Sequence, residues 1–430
     1  MLCSGSSPQG NATNECALKM GGGRTVIVIP WRMNRWVWIS LFLMSVATAA
    51  HGATYYVATD GKADGDGSKD KPFSSVEAAL AKVGGGHTII VKPGVYRGPI
   101  QIAKRFAGTS EAPTVIKSEV KWKAIIIGAS YHVISNDDDC HWVTVDGFQV
   151  QGARYDGIKM NGDHNVVRNC WVHNNQAMGV AMHNKRDGVI ENNLIEFNGS
   201  HVQFDHGVYA DGEGLVIRGN VVRHNASYGL HLYPSIRNSV IANNVMHGQV
   251  RRRGIIVACP KGGGRNRIVN NTVVEDQPLT IWNGDGEVVA NNILVARDPG
   301  ESALSFNDQT RDVLVDYNLC LPKSDRNDSH GVTGDPMFVD ADKAPFWLRP
   351  ESPARGKGSS EHAPDTDFWG RPRAKDRPPD LGALPFVPEL ARPEARQRFE
   401  NGWAYFRHGS GGAVPDFWVL PSSEPGQAPR

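Results

Sequence analysis

Val189-Ile190-Glu191-Asn192-Asn193-Leu194-Ile195-Glu196 returns as Val216-Ile217-Arg218-Gly219-Asn220-Val221-Val222-Arg223 and again as Val240-Ile241-Ala242-Asn243-Asn244-Val245-Met246-His247. Each block is an apolar alternation, a polar corner with Asn, and a second alternation, the pattern of two short strands joined by a tight turn. The corner recurs at Val145-Asp146-Gly147, Arg168-Asn169-Cys170, Val269-Asn270-Asn271, Ala290-Asn291-Asn292 and Asp316-Tyr317-Asn318, with successive marks 21 to 27 residues apart. Units of that size cannot bury an apolar side alone, so they must stack and share one continuous core. The Asn positions fit such a stack in two ways. Asn tolerates left-handed backbone at a turn, and Asn side chains repeated on every rung can hydrogen-bond up and down as a ladder. Each buried Val, Ile or Leu contributes about 1.5 to 3 kcal/mol, so seven or more rungs give ample gross stabilisation before chain entropy is subtracted. The fold class that follows is all-β, a right-handed parallel β-helix.

That repetition overrides the two or three domains that 430 residues would otherwise imply. The parallel β-helix is expected over 54–386. Ahead of the rungs, Ser74 to Val83 reads as one short amphipathic helix with a Ser cap, the natural cover for the first rung. The strand Thr88 to Tyr96 follows it. Residues 1–32 have no fold logic and are expected to be a non-native or unstructured extension. Met33 to Ala53 combines Arg35, an apolar run and small residues near a cleavage point, which reads as a signal peptide and places the chain in the periplasm or outside the cell. No later stretch is apolar for long enough to span a membrane. From 387 to 430 a poorly ordered tail is expected.

A net charge of +1 and pI near 7.7 supply no global field for nucleic acid or an anionic membrane, so recognition of a charged partner must be local. Four of the six cysteines, Cys140, Cys170, Cys259 and Cys320, lie beyond the signal, with no CxxC or His-Cys metal spacing. They read as buried thiols of the core. With both ends capped, the solenoid is expected to stand as a monomer.

Tyr55-Tyr56-Val57-Ala58, Asp66-Gly67-Ser68, Lys71-Pro72-Phe73 and Val91-Lys92-Pro93-Gly94-Val95-Tyr96 resemble the N-terminal cap of the pectate-lyase-like β-helix superfamily. Asp335-Pro336-Met337-Phe338, Ser352-Pro353-Ala354, Asp367 to Pro372 and Leu381-Gly382-Ala383 resemble a terminal segment of its secreted members. The resemblance covers about 55–386 and is specific for fold. It implies an acidic polysaccharide as partner but leaves the chemistry open, because the superfamily holds lyases, C5-epimerases, hydrolases and noncatalytic surface proteins.

A further strand starts after a small turn residue in each rung: Gly157 leads Ile158-Lys159, Gly179 leads Val180 to His183, Gly207 leads Val208 to Asp211, Gly229 leads Leu230 to Tyr233, and Pro278 leads Leu279 to Trp282. Alternation turns Ile158, Met160, Val180, Met182, Val208, Leu230, Leu232, Ile255 and Val257 inward. Facing out are Lys159, Asn161, His183, Tyr209, Asp211, His231, Tyr233 and Trp282, with His206, Tyr228, Arg252, Arg253 and Lys261 on the adjoining turns. Tyr209 and His231 fall in one column of adjacent rungs, as do Asp211 and Tyr233. A merely solvated face would carry scattered Lys, Asp or Thr; two adjacent His/Tyr positions beside Arg point to chemistry.

These groups suit β-elimination on a uronic-acid polymer. The C6 carboxylate must be neutralised, a base must remove the C5 proton, and an acid must protonate the departing O4. Tyr209 and His231 are expected to be the proton-transfer pair, His206 a helper and Arg253 the neutraliser. Substrate contacts are expected from Lys159, His183, Asp211, Tyr228, Tyr233, Arg252, Lys261 and Trp282. A second placement rests on resemblance alone: His183-Asn184-Lys185 with Glu191-Asn192-Asn193 is similar to the segment bearing the base Lys of chondroitinase B and related alginate lyases, which would make Lys185 the base. That family carries an Arg one rung on, where this chain has Asp211. Asp205 and Asp211 could instead hold Ca²⁺, as could the acidic run Asn136 to Asp139. Hydrolysis would need a carboxylate pair that the face lacks. A uronate C5-epimerase, which also starts by removing the C5 proton, and a noncatalytic glycan-binding adhesin stay open.

Overall fold

The structure, a computed structural model, describes residues 52–388 apart from 129–130, 323, 325–326 and 340–345. The expected extension (1–32), nearly all of the signal segment and all but the start of the tail lie outside the described residues.

Among the described residues thirty short strands form three parallel sheets of eleven, ten and nine strands, which the chain visits in rotation from Thr88–Val91 onward. We call them sheets A, B and C. Sheet A starts with Thr54–Val57 and Thr88–Val91, sheet B with Gly94–Arg97, and sheet C with Ile100–Ile102. The stretch Thr88 to Tyr96 is thus two strands rather than one. Pro93 offers no N–H to a ladder, and the chain turns from sheet A to sheet B there. Every described strand pairing is parallel, and the inward side chains share one core running from Val57 to Cys320. The helix spans Val76–Lys82, is capped by the Ser75 side chain accepting from the Ala78 N–H, and buries Val76, Ala79 and Leu80 over the first rung. The four cysteines are free and buried.

The corner between sheets A and B divides the two properties of Asn between two residues. The first position holds the left-handed conformation, with φ of 55° at Asn169, 56° at Asn192, 55° at Asn243, 53° at Asn270 and 60° at Asn291. The second position builds the ladder. Asn193 Nδ2 donates to Asn220 Oδ1, and the relay continues through Asn244, Asn271 and Asn292 to Asn318 with every step at 2.9–3.0 Å. All six are essentially inaccessible to water. A second ladder, at the corner between sheets B and C, runs Asn175, Asn198, Asn225 and Gln249, and ends where Glu275 Oε1 accepts the Gln249 N–H at 2.9 Å. The same amides also satisfy strand-end carbonyls, Asn193 donating to that of Val167, Asn220 to that of Ile190 and Asn244 to that of Ile217.

The first Asn of three doublets has a further use. Asn243 Nδ2 donates to the Thr366 carbonyl, Asn270 Nδ2 to those of Asp380 and Gly382, and Asn291 Nδ2 to that of Ser359. These bonds hold a C-terminal segment whose Phe338, Phe346, Trp347, Leu348, Phe368 and Leu381 cover Leu194, Val221, Val245, Ile293 and Leu319 on the outer face of sheet B. Sheet B is thereby closed, and the outer face of sheet C carries the aromatic and titratable groups discussed next.

Candidate active site

Sheet C has the longest strands of the solenoid: Val180–Arg186, Val208–Glu213, Tyr228–Arg237 and Arg253–Ala258. The alternation expected of them holds, since Ile158, Met160, Val180, Met182, Val208, Leu230, Leu232, Ile255 and Val257 are all fully buried. Gly207 sets the start of the central strand. A Cβ there would stand 2.5 Å from Val222 Cγ1 and 2.8 Å from both Asn225 Nδ2 and the Gly229 carbonyl, so the second ladder itself demands glycine.

The register places Lys159, Ala181, Tyr209, His231 and Ile256 in one outward column on consecutive strands. Tyr209 and His231 are direct neighbours, with ring centroids 4.9 Å apart, edge to face. Both are half-buried, and Ala181 and Ile256, above and below them, are only 1 % exposed. The pair therefore sits in a water-poor part of an outer face.

Burial moves the two members in opposite senses. It raises the Tyr209 phenol above its usual range, with help from the Asp211 charge, and it lowers His231 to about 4, with help from His183 and Arg251. At neutral pH Tyr209 is a protonated acid and His231 an unprotonated base. His231 Nδ1 is buried and has no hydrogen-bond partner.

The surroundings fix these rings. His206 stacks on His231 at 4.0 Å and 9° and accepts the Tyr228 N–H on Nδ1 at 3.3 Å, which leaves the proton on Nε2. Being 3 % exposed, it is held down to about 2 by burial and is neutral throughout the working range. As a helper it positions rather than exchanges protons. His183 stands edge-on to Tyr209 at 4.3 Å and is held by Asp211, Nδ1 to Oδ1 3.1 Å. Arg253 Nη1 donates to the Tyr228 hydroxyl at 2.6 Å.

Several expected contacts are corrected. Tyr228 is 7 % exposed and packs beside His231, so it is a wall of the site rather than an open substrate contact. Asp211 is buried and committed to His183. Asp211 and Tyr233 do not share a column, because the ladder jumps from Ala210↔Leu232 to Gly212↔Ile236 and sets residues 233–235 against Asp211 alone. Arg252 has left-handed backbone and pairs with Asp276. Lys185 sits opposite Gly212 at the far edge of its strand, beyond His183. Lys261 is exposed on the turn after Ala258. Tyr233 and Trp282 remain exposed and meet edge to face at 6.2 Å.

The sequence reading passed over Arg251, whose Nη1 donates to the Gln203 carbonyl and whose charge depresses both His206 and His231. A charged residue in an irregular loop carries no periodic signal.

Of the acidic groups named for calcium, Asp137, Asp139 and Asp205 are engaged by the protein's own donors. Asp205 Oδ2 accepts the Ser200 and His201 N–H groups and closes the loop before His206. Asp137 is held by Lys104 N and Gln101, and Asp139 by Lys104 Nζ. Among the described residues no group of three or more His, Cys, Asp or Glu side chains is arranged to hold a metal ion.

A family model described as the Pel9A-like right-handed β-helix region matches residues 55–254. Pectate lyase PEL9 of Emericella nidulans is 26 % identical over 226 residues, 47 % of this chain and 54 % of that protein. Pectate lyase L of Dickeya dadantii is 29 % identical over 145 residues, 30 % of this chain and 33 % of its own length. The chain thus spans about half or less of the curated relatives it matches. Among solved structures, pectate lyase Pel9A superimposes with a TM-score of 0.55 at 18 % identity, covering 79 % of this chain and 97 % of that one. XylC in complex with xylose gives 0.53 at 11 % identity, covering 78 % and 98 %. These two likenesses speak to fold. Matched over residues 55–254 by that family model and along most of its length by shape, the chain is a right-handed parallel β-helix similar to those of the pectate-lyase-like superfamily.

Proposed function

We propose that this protein is a polysaccharide lyase that cleaves a uronic-acid polymer by β-elimination on sheet C. The observation that carries the reading is the in-register Tyr209–His231 pair, one member held protonated and the other unprotonated. The relatives named pectate lyase support it and make polygalacturonate the first polymer to try.

In this scheme His231 takes the C5 proton, the C5–H electrons form the C4=C5 bond, and the C4–O4 bond breaks. Tyr209 gives its phenolic proton to the departing O4. The imidazolium and phenolate so formed stand side by side and restore each other by proton exchange. His231 alone is a weak base, but a uronate carboxylate bound beside it raises its pKa toward neutrality. Arg253, fixed by Tyr228, and Arg251 are the cations available to offset that carboxylate and the charge developing at C5. His183, anchored by Asp211, holds the Tyr209 ring. Export to the periplasm or beyond and action as a monomer complete the proposal.

The test is incubation of the purified protein with polygalacturonate, alginate and a glycosaminoglycan, with and without chelator. New ultraviolet absorbance from the C4=C5 bond supports the lyase. Deuterium uptake at C5 without unsaturated product would make the protein an epimerase, and saturable binding with neither would make it an adhesin.

A further inference from the structure

Upstream of the catalytic pair, sheet C carries a second cluster. Tyr131 and Tyr155 precede adjacent strands, Ile134–Asn136 and Ile158–Lys159, and their rings stack at 4.5 Å and 5°. They are 60 % and 39 % exposed, although a stacked pair of large rings would ordinarily be drawn into a core. A buried pedestal holds them up. His132 packs edge-on against Tyr131 at 4.6 Å, its Nδ1 lies 3.3 Å from Asp156 Oδ2, and Asp156 Oδ1 accepts the Met178 N–H.

Lys159 lies next to this pedestal and in the same outward column as Tyr209, separated from it only by Ala181. It makes no ion pair among the described residues. Two strand spacings put Lys159 about 10 Å from Tyr209, the length of a disaccharide. Ala181, the one residue between them in that column, has the smallest side chain of the three.

Resting on the lyase reading above, we propose that Tyr131, Tyr155 and Lys159 form a distal subsite for another uronate residue of the same polymer chain. The tyrosine pair offers its exposed ring surface to the sugar, and Lys159 offers a cation to its carboxylate. With Tyr233 and Trp282 on the opposite side of the pair, the polymer runs along the solenoid axis and is held on both sides of the bond that breaks. Internal cleavage follows, with preference for oligomers long enough to reach the subsite.

The experiment compares wild-type protein with Tyr131→Ala/Tyr155→Ala and Lys159→Ala on oligogalacturonates of three to seven units. Expected is a kcat/KM that rises steeply with length in the wild type, and a hexamer-to-trimer ratio that drops about tenfold in either variant. Tyr131→Phe/Tyr155→Phe, which keeps the rings, restores the ratio. Calorimetric binding of the hexamer to Tyr209→Phe protein, with and without the two alanine changes, supplies a readout independent of turnover, and the subsite predicts weaker binding in the triple variant. Should the double alanine variant lose cooperative unfolding, Tyr131→Ala alone carries the same comparison. An unchanged ratio and unchanged binding overturn the subsite while leaving the lyase intact. Absence of unsaturated product from every polymer overturns the lyase, and the binding comparison then still decides the subsite.

Discussion

Glu275→Gln is expected to stabilise this protein, and only above mildly acidic pH. Glu275 ends the second ladder, is 1 % exposed, and accepts the Gln249 N–H. The members before it donate through an amide: Asn225 Nδ2 to the Ile195 carbonyl, and Gln249 Nε2 to that of Val222. A carboxyl can act as a donor there only when protonated. Burial raises Glu275 from 4.5 to about 8, against the opposing pull of the Gln249 N–H and the Arg297 charge. The folded chain therefore keeps a proton that the unfolded chain has lost between those two values, and stability falls as pH rises through that window. From pH 4 to pH 7 the difference is on the order of 3 kcal/mol at 1.36 kcal/mol per unit, and glutamine, isosteric and already an amide, removes it. Urea midpoints and thermal scans at fixed rate, run for both proteins from pH 4 to 8.5, measure the effect. The two should coincide near pH 4, and the variant should lead by roughly 5 °C or more at pH 7. A constant offset at all pH values, or a less stable variant at pH 7, would refute the reasoning.

Other consequences are as direct. Because His231 is depressed to about 4 and Tyr209 is raised above its usual range, kcat/KM should lose activity only below about pH 5 and show no alkaline limb up to pH 9; a bell centred near 6.5 in the free enzyme's profile would contradict the assignment. Asn271→Ala removes the acceptor of the Asn244 N–H and side-chain amide and the donor to the Ile241 carbonyl, so it should cost about 3 kcal/mol or more in urea unfolding, whereas a loss under 1 kcal/mol would mean that the ladder is ornamental. Gly207→Ala forces a contact with Val222 and the Gly229 carbonyl, so activity and thermal stability should fall together, and full retention of both would show that the strand start can shift freely.

The fold was legible because burial imposes its period on the sequence. Val167, Ile190, Ile217, Ile241 and Ile268 stand at one phase of successive rungs, and the Asn marks stand between the alternations they separate. The Tyr209–His231 column followed from the same alternation, carried from the buried to the exposed face of one strand. What alternation cannot carry was lost. The jump between Ala210 and Gly212 uncoupled Asp211 from Tyr233, and a change of register has no composition signal in two strands that each look regular. Tyr228 and Arg252 were placed by proximity in sequence, but a turn residue's direction depends on local backbone, and the left-handed φ at Arg252 faces it toward Asp276. The second ladder had a visible trace in Asn175, Asn198, Asn225 and Gln249, each two residues past a strand of sheet B, which was masked by the stronger Asn-Asn doublets.

The central claim is that Tyr209 delivers the proton to O4 while His231 removes the one at C5. Tyr209→Phe keeps the ring against His183 and His231 and deletes only the hydroxyl, so product formation on polygalacturonate should drop by at least about a hundredfold while hexamer binding and the unfolding midpoint stay near wild type. Unsaturated product formed by Tyr209→Phe at the wild-type rate would contradict the account.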